Sequence, residues 1–263
     1  MSIFPLVSII MPTYNSEATI ESAINSILLQ TYETWELLIC DDGSTDDTLK
    51  KVERFSDNRI RFYAGRGRKG IANRLNQGIS LAHGKYIARM DADDLSFPTR
   101  IQKQVNFMEA HPEIDLLGSS IIAFGESGNF LYRYIAPQSH YELVKNISNG
   151  IPLYHPTWFG KKEWFFRWRY RNFFLKYGGE DFDLLLRSFS SSHFASLQEP
   201  LLAYRHVFSI RRISYNTIRM VTSLFKSNYR KEAALVLLKF TPKLFISFTL
   251  VTFRNLKYRN LKR

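Results

Sequence analysis

Apolar positions in the first part of the chain follow two alternating rhythms. "LVSIIM" (6–11), "WELLIC" (35–40), "RIRFYA" (59–64) and "KYIARM" (85–90) are short apolar or β-branched runs with the length of buried strands. Pro12 closes the first. Between them, "EATIESAINSILLQ" (17–30) puts Ile20, Ala23, Ile24, Ile27 and Leu28 on one face of a helix. Ser44 is placed to cap a helix with an acidic first turn, "TDDTLKKVERF". "IANRLNQGISLAH" (71–83) reads as a helix with Gly84 as its C-cap, and "PTRIQKQVNFMEAH" (98–111) as a helix with proline in its first turn. This alternation predicts an α/β fold with a doubly wound, mostly parallel sheet.

After residue 115 the rhythm loosens. "IDLLGSSIIAFG", "FLYRYIA" and "PLYHPTWFG" read as strands, "SHYELVKNI" and "EDFDLLLRSF" as helices. Residues 161–176 interleave Trp164, Phe165, Phe166 and Trp168 with Arg167, Arg169 and Arg171, either as a membrane-docking surface or as a core helix. From about 211 the chain reads as amphipathic helices.

Ligands of such sheets bind beyond the carboxyl ends of the strands. Three polar segments fall there: "PTYN", "DDGSTDD" and "DADD". Asp91, Asp93 and Asp94 at one strand mouth repel each other unless a cation intervenes, and a hard divalent ion, Mn²⁺ or Mg²⁺, suits oxygen ligands. The alternative is a cap for the next helix. Asp41 or Asp42 can accept from a nucleobase or ribose, or can build an Asx-turn. Asp46 and Asp47 belong to the first turn of the following helix. Arg66, Arg68 and Lys69 form a basic glycine-rich loop, suited to a diphosphate or simply solvated.

Composition adds two constraints. At 45% hydrophobic and 23% charged, the chain has the makings of a globular core. The single cysteine, Cys40, excludes an internal disulfide or a cysteine metal cluster and fits a reducing compartment. The opening "MSIFPLVSIIMPTYN" reads as a core strand, with no secretory signal. Charge is unevenly spread: Arg205 to Arg263 holds 14 Lys and Arg against one acid, Glu232, so that tail carries +13 and the rest of the chain −1 of the net +12. "LFISFTLVTF" (244–253) is too short to span a bilayer, so the tail is expected to lie on anionic lipid, or else to pack on the body with its charge solvated.

"VSIIMPTYN", "LLICDDGSTDDT", "LNQGISLAHGKYIARMDADDLSFPTRIQKQ", "HPTWF" and "GGEDFDLLLR" occur in that order, and the chain thereby resembles the family 2 glycosyltransferases over residues 5–205. The resemblance implies a GT-A fold and inverting transfer of a sugar from a nucleoside diphosphate, UDP foremost. It implies that Pro12, Thr13 and Tyr14 line the base pocket, Asp42 binds the base, Asp91 contacts ribose, Asp93 ligates the metal and Asp181 is the catalytic base. Without it, Asp181 would read as charge capping its own helix. Asp94, Arg100 and Gln104 are expected to fix the carboxylate loop, and His155 to be a core histidine near the acceptor. His206 in "YRHVFS" stands one residue away from the family's usual histidine and stays outside the site.

The expected organisation is a catalytic domain over 1–210, with 1–115 holding the nucleotide and 116–210 the acceptor, followed by a basic tail over 211–263. The expected setting is the cytoplasmic face of the inner membrane, with a glycan or lipid-linked acceptor and no nucleic acid. A nucleotidyltransferase would need a glycine-rich phosphate loop after the first strand, where "PTYN" stands. A nucleic-acid-binding module would explain the charge, but that charge sits on an apolar tail apart from the acidic crevice.

Overall fold

A computed structural model describes residues 4–145, 152–171 and 179–207. Strands β1 (Val7–Thr13), β2 (Trp35–Asp41), β3 (Ile60–Tyr63) and β4 (Tyr86–Arg89) pair in parallel in the order β3-β2-β1-β4. Between them run α1 (Ile20–Leu28), α2 (Thr48–Val52) and α3 (Ile71–Leu81), and α4 (Arg100–Ala110) follows. Side chains of β1 alternate. Val7, Ile9 and Met11 pack with Ile20, Ala23, Ile24 and Ile27 of α1 and Ile101, Val105 and Met108 of α4. Ile10 and Leu38 face Ala72, Leu75 and Ile79 of α3 on the other side. Both faces are covered, which is why these strands are apolar throughout and the sheet is doubly wound. Pro12 lies past the last β1–β4 pair, Ile10 with Arg89, so its missing N–H forfeits no ladder bond on that side.

The second half makes the sheet mixed. It contributes β5 (Leu95–Ser96), β6 (Leu116–Phe124), β7 (Phe130–Tyr134), α5 (His140–Lys145), β8 (Phe159–Lys161), α6 (Lys162–Arg167), α7 (Glu180–Ser188) and β9 (Phe194–Arg205). The full order is β3-β2-β1-β4-β8-β6-β9-β5, with β7 on β6. Three-residue β8 sits antiparallel between β4 and β6, with Phe159 opposite both Ala88 and Leu117. The long β6 and β9 pair in parallel. Residues 90–94 link β4, in mid-sheet, to β5 at its far end, so the sheet curls.

Several local expectations are corrected. Ser44 caps no helix: its Oγ donates to Asp41 Oδ1 at 2.5 Å and accepts from Asn15 N–H at 2.9 Å. The Asp41 turn captures it first, and α2 starts only at Thr48, whose N–H goes to Asp46 Oδ1. Gly84 is no C-cap, since α3 ends at extended Ala82. A Cβ at Gly84 would stand 2.6 Å from both Leu6 O and Ser8 N, so glycine is required where this loop crosses β1. "PLYHPTWFG" is not one strand: His155–Thr157 make a single 3-10 turn, with proline inside it, before β8. In the basic aromatic stretch Trp164, Phe165 and Tyr170 are buried core residues, while Phe166 and Arg167 are exposed. The amphipathic helices expected over 211–263 lie outside the described residues, and among those no helix is long and apolar enough to cross a membrane.

Candidate active site

The ends of β1 and β2 meet as anticipated. Asp42 N–H donates to Thr13 O, and Thr45 N–H donates to Asn15 Oδ1. Pro12 and Thr13 are buried, and Thr13 Oγ1 has no partner among the described residues. Tyr14 is exposed, with the Arg68 guanidinium 4.4 Å over its ring. The two aspartates of "DDGS" divide their work. Asp41 accepts from Gly43 N–H and Ser44 N–H and hydroxyl, which is the Asx-turn reading. Asp42 Oδ1 takes Lys69 N–H, Gly70 N–H and Arg74 Nε, the last a buried ion pair at 2.9 Å. Its Oδ2 takes Gly70 N–H at 2.9 Å, leaving lone-pair capacity on that oxygen. Asp42 therefore fastens the basic loop and α3 beyond the end of β2.

Directly beyond β4, one carboxylate oxygen each from Asp91, Asp93 and Asp94 lies within 4.8 Å of the others. Their crowding is answered by a residue the sequence reading passed over. Arg89, buried at the end of β4, grips Asp91 with both terminal nitrogens, at 2.6 Å and 2.5 Å. Arg205 N–H donates to Asp94 Oδ1, and its Nε to Asp93 O, so the end of β9 pins the same loop. Arg100 donates to Arg89 O and to Gln104 Oε1, and Gln104 to Thr157 O, as expected of a loop-fixing pair. Asp94 is fully buried, with its Oδ2 lacking a partner among the described residues; burial and the neighbouring Asp91 and Asp93 push its pKa well above the ordinary carboxylate value. Burial, then Asp91, pushes Asp93 up to about 6. An all-oxygen cluster with an unsatisfied buried oxygen and carboxylates resisting ionisation fits a hard divalent cation.

The third component is the first turn of α7. Gly179 takes φ +89°, the left-handed region open to glycine, and so turns the chain into a helix that begins Glu180-Asp181. Burial, then Asp181, lifts Glu180 to about 7, and Asp91 adds to that push. Asp91 and α7 therefore share one electrostatic neighbourhood. Arg89 and Tyr170 stand in it as well: Tyr170 feels Arg89, Glu180, Asp181 and Asp91 together. Tyr170 OH is 2.8 Å from His155 Nε2, and burial with nearby Arg89 keeps His155 neutral, a core histidine as anticipated. His206 Nδ1 lies 3.2 Å from the Tyr132 hydroxyl.

Residues 8–169 match the model of glycosyl transferase family 2. The chain belongs to that family. It is 36% identical over 220 residues to the putative glycosyltransferase EpsE of Bacillus subtilis, covering 81% of this chain and 78% of EpsE. It is 39% identical over 147 residues to WfgD of Escherichia coli, a UDP-Glc:alpha-D-GlcNAc-diphosphoundecaprenol beta-1,3-glucosyltransferase, covering 55% of this chain and 57% of WfgD. The mannosyltransferase PcManGT of Pyrobaculum calidifontis, solved with GDP-Man and Mn²⁺, superposes with TM-score 0.64 at 16% identity, covering 96% of this chain and 81% of that one. The fold is thus of the GT-A type, and this glycosyltransferase keeps its carboxylates at the strand ends where such folds bind ligands. Neither a nucleotidyltransferase nor a nucleic-acid-binding module is favoured. Arg89 was legible only as a charged residue ending a buried strand just before "DADD"; Arg205 and Tyr170 gave no local signal.

Proposed function

We propose that this glycosyltransferase moves a sugar from a UDP-sugar to a lipid-linked glycan in surface polysaccharide assembly, with inversion at the anomeric carbon. The observation that carries the reading is the Asp91–Asp93–Asp94 cluster directly beyond β4, whose Asp91 acts electrostatically on the buried Glu180 of the first turn of α7. The activity of WfgD, which takes UDP-Glc and a diphosphoundecaprenol-linked sugar, supports the donor and acceptor classes.

Pro12, Thr13 and Tyr14 wall the base pocket, and the spare capacity of Asp42 Oδ2 takes a base N–H. Asp91, held by Arg89, accepts from ribose. Asp93 would ligate the cation, Mn²⁺ or Mg²⁺, beside the diphosphate, and that ion would supply charge stabilisation for the departing nucleotide. Asp181 accepts the proton of the acceptor hydroxyl as that oxygen attacks the anomeric carbon and the diphosphate oxygen leaves. Residues 1–115 serve the donor and 116–210 the acceptor. The cationic sequence over 211–263 suits an anionic membrane surface at the cytoplasmic face, where a lipid-linked acceptor would be met.

The test is nucleotide release from UDP-glucose, UDP-N-acetylglucosamine and GDP-mannose with Mn²⁺ or EDTA, alongside thermal stabilisation by each. EDTA-sensitive release from a UDP-sugar is expected. Asp181→Asn should keep UDP binding and lose about 10²–10⁴-fold in rate. No release and no stabilisation by any donor would overturn the reading; an active Asp181→Asn would remove the base.

A further inference from the structure

The catalytic reading draws on carboxylates from the donor half and from α7, and the two must be held in register. The short segment Trp168–Tyr170 is gripped from both sides. From α3, Asn76 Oδ1 accepts Tyr170 N–H at 3.0 Å while its Nδ2 donates to Tyr170 O at 2.8 Å, as a neighbouring strand would. Arg169 returns the contact, donating to Asn76 O at 2.7 Å and Ser80 Oγ at 2.9 Å. From α7, Arg187 Nη2 donates to Trp168 O at 3.1 Å and Arg169 O at 2.8 Å, and its Nε to buried Asp183 Oδ2 at 2.7 Å. Asp183 lies two positions beyond Asp181 on the same helix. The Tyr170 hydroxyl meanwhile reaches His155, which packs beside Arg89, the residue that holds Asp91.

We propose that Asn76 and Arg187 are positioning residues: together they clamp residues 168–170 and so set Asp181 against the bound donor. This rests on the reading of Asp181 as the base. Neither residue touches substrate. Both act through a backbone segment whose three carbonyls and one amide they bind, and a displacement of about 1 Å at a reacting group can cost about 10²-fold. The asymmetry of the clamp gives it a signature. Asn76 stands on the donor half yet should govern the rate step without governing donor binding.

Asn76→Ala and Arg187→Lys test this; the second keeps a positive charge beside Asp183. Three quantities are read on the full chain: UDP affinity with Mn²⁺, the maximal rate of nucleotide release with each sugar nucleotide named above, and hydrogen exchange of the Asp181–Leu185 amides. UDP affinity within about twofold of wild type, a rate about 10–100-fold lower at unchanged donor KM, and roughly tenfold faster exchange in the first turn of α7 are expected. Wild-type exchange in α7 would overturn the proposal, even if none of the sugars is turned over. So would a loss of UDP affinity in proportion to rate, which marks a merely structural residue. Asp181→Asn is run beside them. If it is fully active while Asn76→Ala is slow and its α7 exchanges fast, the base assignment falls and the clamp stands.

Discussion

Arg89→Met isolates the cost of crowding three carboxylates. The wild-type guanidinium makes two charge-assisted contacts with Asp91 and is almost wholly buried, while the Asp91 side chain is 27% exposed. Removing one partner of a buried ion pair costs about 3–5 kcal/mol, because the other charge stays behind. The proton linkage gives a second, independent magnitude. Asp93 is raised from 3.8 to about 6 even with Arg89 present, so its ionised form already costs about 3 kcal/mol. A raised folded-state pKa means that the native state holds its proton longer than the unfolded chain, so stability falls as pH rises through that window. Without Arg89 the Asp93 and Asp94 pKa values climb further and the loss extends toward neutral pH. Urea unfolding at pH 7.5 and pH 5 should therefore show a deficit of about 3–5 kcal/mol at the higher pH that shrinks by half or more at the lower. A deficit under about 1 kcal/mol, or one equal at both pH values, would refute this account of the cluster.

Asp42→Ala should destabilise by about 3–5 kcal/mol in urea, because it strands the buried Arg74 charge and the Lys69 and Gly70 N–H groups; near-wild-type stability would show the loop to be held by other means. Gly84→Ala must push β1 from the loop and should cost about 1–3 kcal/mol, seen as a lower Tm, with an unchanged Tm counting against the close approach. Glu180→Gln removes a carboxyl raised from 4.5 to about 7. Wild type should lose stability as pH rises from 4.5 to 7, and the variant's profile should be flatter there by up to about 3 kcal/mol; parallel profiles would argue against a raised Glu180.

The strands and helices of the first 115 residues were readable because their information is local. The apolar run of β1, the Ile20–Leu28 stripe of α1 and the acidic strand ends report burial and placement within a few residues of themselves. The errors came where a side chain is claimed by a distant partner. Ser44 has the chemistry of a cap but is taken by Asp41 and Asn15. Gly84 has the chemistry of a helix end but answers to the backbone at Leu6 and Ser8. Arg205 and Tyr170 shape the site through residues 111 and 15 positions away, whereas Arg89, two positions from Asp91, read only as a charged end to a buried strand. The aromatic stretch stayed open between interface and core because its composition suits both; the burial of Trp164, Phe165 and Tyr170 against the sheet decides for the core at those three positions.

The insertion of β8 between β4 and β6 also orders events in time. As the chain leaves the ribosome, β3-β2-β1-β4 can assemble once residue 89 has emerged, but the outer edge of β4 stays unpaired until residues 159–161 arrive. During that interval about 70 residues are synthesised, several seconds at ordinary elongation rates, with an apolar strand edge open. Phe159 then closes the gap, joining the finished parallel strands to β6 of the second half. The passage from β4 to β6 across the middle of the sheet is thus made by three residues, and a nascent chain stalled before them leaves that apolar edge open to other strands.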